Sequence, residues 1–385
     1  MWYFSSPQIV YGEGALSHLG TLQGERACVV TDATLVRLGL LAPVLEALES
    51  SGMQVKIIDS VEPDPSLGTV REGARQMLDF APQWIVAVGG GSVIDAAKGM
   101  WILYERTDVE ADGINPIESY GLRSKARFAA VPTTSGTGSE ATWAIVLTDP
   151  VERRKLGLGS REAIADYAII DPSLVSGMPP RLCADTGLDA LTHAIEGFTS
   201  TYASDFTDGL CLHAARLVFR HLPASMAGDP EARGHMHNAA TLAGLGFGNS
   251  MAALAHGMGH ALGGALHVPH GRAVALFLPY TIEFCVNAGG TRYIELARAL
   301  ELPVADEAGA AFELVKAVRD LERQVGQPLT LKEAGISREA LEAELPLLVD
   351  NALNDTQTIM ATRVASDDDL RALFRAAWDG QKIDF

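Results

Sequence analysis

Between residues 26 and 105 short β-branched runs and amphipathic runs take turns. "RACVVTD" (26–32) precedes the helical spacing of "LAPVLEALESSG" (41–52), and "QVKIIDS" (54–60) precedes "LGTVREGARQMLDF" (67–80). "WIVAVGGGS" (84–92) then runs through glycines into "VIDAAKGMWILYE" (93–105). Strand, helix, strand, helix at this pace predicts a parallel sheet with helices on its faces. Further strand candidates are "RFAAVPTT" (127–134), "ATWAIVLTD" (141–149) and "DYAIID" (166–171).

The texture changes at "DPSLVSGMPP" (171–180), a connector bearing proline and glycine. Beyond it β-branched runs become rare, and stretches such as "DGLCLHAARLVFRHL" (208–222) and "GTRYIELARAL" (290–300) predict helix only. A chain of 385 residues is long for one core. We therefore read an α/β domain over 1–178 and an all-α domain over 179–385, with the site expected in the cleft between them.

Charge and cysteine usage narrow the function. The net charge of −18 argues against nucleic acid or an anionic membrane as partner. Cys28, Cys183, Cys211 and Cys285 are far apart and form no CxxC pair, which reads as free thiols in a reducing compartment. The opening "MWYFSSPQIVYGEG" has no signal-peptide pattern, and no apolar run approaches the about 20 residues of a membrane span, so a cytoplasmic location is expected.

Two small-residue loops follow strands. "AVGGGSVIDAAKG" sets Gly89, Gly90, Gly91 and Ser92 between a strand and a helix. Glycine lets backbone approach a ligand, and a helix start favours an anion such as pyrophosphate. The same triplet also suits a tight turn needing positive φ. "VPTTSGTGSEAT" (131–142) adds the hydroxyls of Thr133, Thr134, Thr137 and Ser139. Two such loops in one half favour a nucleotide, although the layout differs from the GxGxxG turn after a first strand.

The second half carries histidines. "AHGMGHALGGALHVPHG" (255–271) holds His256, His260, His267 and His270, four of the chain's ten. His256 and His260 are one helical turn apart, and His270 follows a break read at Gly263–Gly264 and Pro269. In "RLCADTGLDALTHAIEGF" (181–198) Asp189 and His193 have the same spacing. Such a pair suits a metal, and equally a plain hydrogen bond. Several imidazoles in an apolar context need partners. An Asp with three His suits Fe(II) or Zn(II). Spacing does not say which three histidines bind.

These segments, together with "IVYGEGAL" and "DPSLVSGMPPR", resemble the iron-containing (group III) alcohol dehydrogenase family over nearly the whole chain. The resemblance implies an N-terminal dinucleotide domain, a helical C-terminal domain and a divalent metal, Fe2+ first and Zn2+ second. By position it implies Asp189, His193, His256 and His270 as ligands. It makes His260 a proton-relay residue beside the metal, and it puts Phe247 on the substrate wall. His267 falls where the family varies. Gly90, Gly91, Ser92 and Asp95 match the pyrophosphate turn; Thr133, Thr134 and Thr137 match the second loop; Lys155 matches a lysine near the nicotinamide ribose. Two departures stand out: Asp64 where asparagine is common, and "DNALNDTQTIMATRVASDDDL" (350–370) where the family often has Asn-Pro-Arg.

The expected reaction is reversible hydride transfer between a small alcohol or aldehyde and NAD(H), catalysed by a homo-oligomer, a dimer. The apolar metal surround and few cations favour a neutral substrate. A glycerol dehydrogenase-like or maleylacetate reductase-like enzyme is the alternative. A dehydroquinate synthase-like lyase ranks lower, because only Arg272 stands near the metal motifs. NAD is preferred on account of Asp32, which closes "RACVVTD" where a carboxylate accepts from the ribose hydroxyls and repels a 2′-phosphate. Asp32 also has the position of a turn-capping aspartate.

Overall fold

The computed structural model describes residues 3–303 and 307–385. The chain divides into two compact units between Met178 and Pro179. In the first unit the strands are β1 (Gln8–Tyr11), β2 (Arg26–Val30), β3 (Gln54–Ile58), β4 (Trp84–Gly89), β5 (Arg127–Pro132), β6 (Ala144–Asp149), β7 (Arg154–Gly159) and β8 (Tyr167–Ile170). Six of them make one sheet in the order β1-β8-β5-β4-β2-β3. Every pairing in it is parallel, with Ala27 opposite Trp84 and Trp84 opposite Arg127.

The helices of this unit are α1 (Ala33–Arg37), α2 (Ala42–Ser50), α3 (Leu67–Phe80) and α4 (Gly91–Glu105). Their placement follows from the two-residue period of the strands. On β4, Ile85 and Ala87 join the cluster of Val70, Met77, Met100 and Trp101 from α3 and α4. Trp84, Val86 and Val88 join Val44 and Leu48 of α2 on the opposite face. Burial on both faces is why β4 reads as an unbroken apolar run.

The strand read at 141–149 is β6, and it lies outside the parallel sheet. It pairs antiparallel with β7 as a two-stranded hairpin. The turn explains this: Asp149 accepts from Val151 N and Glu152 N at 2.8 and 3.1 Å, and Arg153 has φ 52°. So short a link reverses the chain, whereas a parallel partner needs a crossover of about a dozen residues or more.

In the second unit all regular elements among the described residues are helical. They are α5 (Pro180–Thr199), α6 (Asp205–Met226), α7 (Pro230–Ser250), α8 (Leu254–Leu266), α9 (His270–Asn287), α10 (Thr291–Ala299), α11 (Glu307–Gln324), α12 (Arg338–Asn354) and α13 (Asp367–Asp379). α5 packs on α6, α7 and α9, and α8 packs on α9 and α12. The break read at Gly263–Gly264 lies later. Both glycines are helical, and α8 ends at His267, whose φ of 56° is left-handed. His267 is thus the exposed residue that terminates α8. Pro269 then starts α9, and His270 is the first residue of that helix.

Candidate metal centre and dinucleotide loops

Three helices of the second unit bring four side chains together. α5 presents Asp189 and His193 one turn apart, α8 presents His256, and the first turn of α9 presents His270. His193 Nδ1, His256 Nε2 and His270 Nε2 stand 3.6, 3.7 and 3.5 Å from Asp189 Oδ1. One ligand atom from each of the four falls within 4.8 Å of every other. Gly271 allows the approach. A Cβ there would lie 2.3 Å from Asp185 O and 3.1 Å from Asp189 Cβ, so only glycine lets α9 close on α5. Arg272 locks the contact with a bidentate pair to Asp185 at 3.1 and 2.7 Å.

These separations are too long for hydrogen bonds and suit ligands around one cation. Metal–ligand bonds of about 2.1 Å arranged tetrahedrally give edges of about 3.4 Å. Asp189 Oδ1 and His256 Nε2 are buried with no hydrogen-bond partner. Leaving such groups unanswered is costly. A divalent ion answers both, so the residues fit the metal. Burial pushes the Asp189 carboxyl up, but His193, His270 and His256 outweigh it and hold its pKa well below the usual range. Burial likewise opposes charge on His256, but Glu196 and Asp189 raise its pKa to about 9.

Two carboxylates behind the histidines escape the sequence reading. Glu196, on α5, accepts from His256 Nδ1 and from the backbone of Ala253 and Ala255. Its spacing, seven after Asp189 and three after His193, puts it on their helix face and was a readable signal. Asp355, at the end of α12, is 2.7 Å from His260 Nδ1. Burial raises the Asp355 pKa, but His260 outweighs this and holds it below the usual value. No local pattern points to Asp355, which is 95 residues away from its partner. The His260 ring stacks 5.2 Å from His270, outside the four-residue cluster. Phe247 stacks on His193 with ring centroids 4.0 Å apart.

In the first unit the two small-residue loops meet. A Cβ on Gly90 would lie 3.3 Å from the Thr134 side chain, and one on Gly91 would lie 2.6 Å from Thr137 Cγ2. None of Gly89, Gly90 and Gly91 has positive φ, so close approach explains them and turn geometry does not. Gly90 is the N-cap of α4 and brings no side chain to its first N–H groups. A cradle of this kind fits a pyrophosphate. Thr133 N donates to Gly89 O at 3.0 Å, joining the loops at their roots. Ser92 Oγ accepts from Asp64 N at 3.4 Å, and Asp64 pairs with Lys155 Nζ at 2.6 Å. Both oxygens of Asp95 are engaged, by Ser139 Oγ and by Val146 N, so this residue braces the second loop. Asp32 caps α1, accepting from Thr34 N at 2.7 Å and Leu35 N at 3.0 Å. It lies two residues beyond the end of β2, the sheet neighbour of β4.

Comparison with known proteins closes the identification. The family model for iron-containing alcohol dehydrogenase matches residues 6–172, and that for the C-terminal part of the Fe-containing alcohol dehydrogenase family matches 183–378. The chain belongs to the iron-containing alcohol dehydrogenase family. This dehydrogenase is similar to NADPH-dependent butanol dehydrogenase of Clostridium saccharobutylicum, at 40% identity over 100% of each chain. It is 34% identical to aldehyde-alcohol dehydrogenase 2 of Entamoeba histolytica over 98% of its own length and 46% of that protein's, so it spans about half of that relative. Among solved structures, 1,3-propanediol oxidoreductase superposes with a TM-score of 0.91 at 32% identity, covering 98% of this chain and 100% of that one. The protein is therefore a metal-dependent oxidoreductase of alcohols or aldehydes, and its Asp/His cluster has a donor set that could hold a divalent metal.

Proposed function

We propose that this dehydrogenase interconverts a small neutral primary alcohol and its aldehyde with NAD(H) as hydride carrier. Asp189, His193, His256 and His270 would hold the ion, Fe2+ first and Zn2+ as substitute. When bound it supplies Lewis acidity that lowers the pKa of the substrate hydroxyl. His260 carries the proton. Asp355 on Nδ1 leaves Nε2 of that ring free to exchange it. Phe247 braces His193 and backs the alkyl part of the substrate. Gly90, Gly91 and Ser92, with Thr133, Thr134 and Thr137, receive the pyrophosphate; Asp95 shapes their loop, and Lys155 lies toward the ribose.

The observation that carries the substrate class is Arg272. It is the cation nearest the metal motifs in the sequence, and its guanidinium is spent on Asp185. That guanidinium is therefore not available to the carboxylates of a maleylacetate-type substrate or to the phosphate of a lyase substrate. Butanol and 1,3-propanediol, named for relatives, are likewise small and neutral. The Clostridium relative's name carries NADPH, so the choice of NAD rests on Asp32. We place the enzyme in the cytoplasm as a dimer; no helix among the described residues is long and apolar enough to cross a membrane.

The test is a panel of C2–C4 alcohols, glycerol, the matching aldehydes and maleylacetate, read at the reduced nicotinamide absorbance with NAD(H) and NADP(H). Protein reconstituted with Fe2+ and separately with Zn2+ is used. Turnover of simple aldehydes is expected. Efficient reduction of maleylacetate, with negligible aldehyde activity, overturns the reading.

A further inference from the structure

Three donors converge on Glu196. Its Oε2 accepts from His256 Nδ1 and from Ala253 N at 2.9 Å, and Oε1 accepts from Ala255 N at 2.6 Å. Its side chain is 3% exposed. α8 starts at Leu254 with no capping side chain of its own, so this carboxylate from α5 answers its first turn.

We propose that Glu196 is a positioning residue for the metal centre. It keeps His256 protonated at Nδ1 and so leaves Nε2 as the bare ligand nitrogen, 3.7 Å from Asp189 Oδ1. The proposal rests on the reading that Asp189, His193, His256 and His270 hold a divalent cation.

Only a carboxylate serves all three donors. A glutamine has one acceptor oxygen, so its NH2 must face an N–H whichever way it turns. Turned toward His256, it forces the ring to accept at Nδ1, which moves the proton onto Nε2, the ligand atom. Turned toward Ala255, it opposes a backbone donor and loosens the first turn of α8.

Metal-free wild type, Glu196→Gln and Glu196→Asp are titrated with Zn2+ against a chelating dye, and the unfolding of each metal-free protein is measured separately. The expected result is a fall in Zn2+ affinity of about 10- to 100-fold for Glu196→Gln, the usual effect of removing a carboxylate behind a ligand histidine. A smaller fall is expected for Glu196→Asp, which keeps the charge and shortens the reach. Equal Zn2+ affinity in wild type and Glu196→Gln, even with lowered stability, overturns the proposal and makes Glu196 a helix cap only. A wild type that binds no Zn2+ removes the metal reading itself, and the proposal with it. Should Glu196→Gln not fold, 15N-histidine spectra of Zn2+-loaded wild type decide the matter. His256 is expected with its proton on Nδ1 and protected from exchange; a proton on Nε2 overturns the proposal.

Discussion

The two units present different groups at their candidate sites. In the first, buried charges are spent on the fold. Lys98 donates to Ser139 O and Ala144 O at 2.8 and 2.9 Å, Asp95 accepts from Ser139 Oγ and Val146 N, and Glu105 accepts from Lys125 N and Ala126 N. What faces a ligand there is backbone and small side chains: the Gly90–Gly91 turn against Thr134 and Thr137. In the second unit, charge and imidazole from three helices converge on one point, and Asp189 Oδ1 and His256 Nε2 are left without a hydrogen bond. A phosphate chain is recognised by N–H groups that every residue owns, so its site needs room. A cation needs particular donor atoms, so its site needs residue types. Changes in the second unit should therefore abolish function through lost chemistry, and changes in the first should weaken binding and leave the metal in place.

The largest effect is expected from His270→Ala. Removing one ligand should empty most of the site of metal and lower turnover on the order of 10³-fold or more. His260→Ala is its control. Metal content should hold while kcat falls by about 10²- to 10⁴-fold, the usual range for a lost proton-transfer group. Metal analysis beside steady-state kinetics checks both. A His260 variant without metal, and a His270 variant that keeps it, would reverse the assignment.

That contrast also separates what the sequence discloses from what it hides. Asp189/His193 and His256/His260 announce themselves because a helix turns every four residues onto the same face. Glu196 obeys the same rule at i+7, but an isolated glutamate in "HAIEGF" looks like surface until its donors are seen. Asp355 has no local signature: its contact with His260 comes from the packing of α12 on α8. In the first unit the buried strands β2, β4 and β5 are legible as apolar runs. β1 is a four-residue edge strand with both ends exposed. β7, "RKLGLG", has glycines and charges because it belongs to a hairpin outside the sheet. Neither has a core on both faces to print an apolar pattern.

Next in size is Asp32→Gly. Close like charges cost on the order of 1–3 kcal/mol in a partly screened site, so removing this carboxylate should improve NADP binding about 10- to 100-fold. The side chain caps α1, yet glycine at a cap costs only a few tenths of a kcal/mol, so folding should be spared. Kinetics with both dinucleotides check it. An unchanged cofactor ratio leaves Asp32 as a cap and nothing more.

Gly91→Val should follow, at about 10-fold in the KM for dinucleotide. The added Cβ would stand 2.6 Å from Thr137 Cγ2 and press the two loops apart. Metal content should match wild type. If the variant loses metal instead, the division of labour between the units fails.

The smallest effect tests whether the second unit tolerates buried charge only where something answers it. Glu322, on α11, is 1% exposed, and its Oε1 has no hydrogen-bond partner. Burial raises its pKa well above the ordinary value, and the lowering by Arg319 and Arg323 does not offset this. The folded state therefore keeps a proton that the unfolded chain releases near pH 4.3. Between that pH and the raised pKa the native state binds more protons, so stability falls as pH rises, by at most about 1.4 kcal/mol per pH unit. Glu322→Gln keeps the shape and removes the titration. Calorimetry on metal-free protein, where ligand loss cannot intrude, should find the variant melting a few degrees higher than wild type at pH 8. The difference should shrink as the pH falls below about 4.3, where the wild-type acid becomes protonated in both states. A variant whose melting temperature tracks wild type across that range would mean that Glu322 finds compensation as Glu196 does, and the contrast between answered and unanswered charge would hold only at the metal centre.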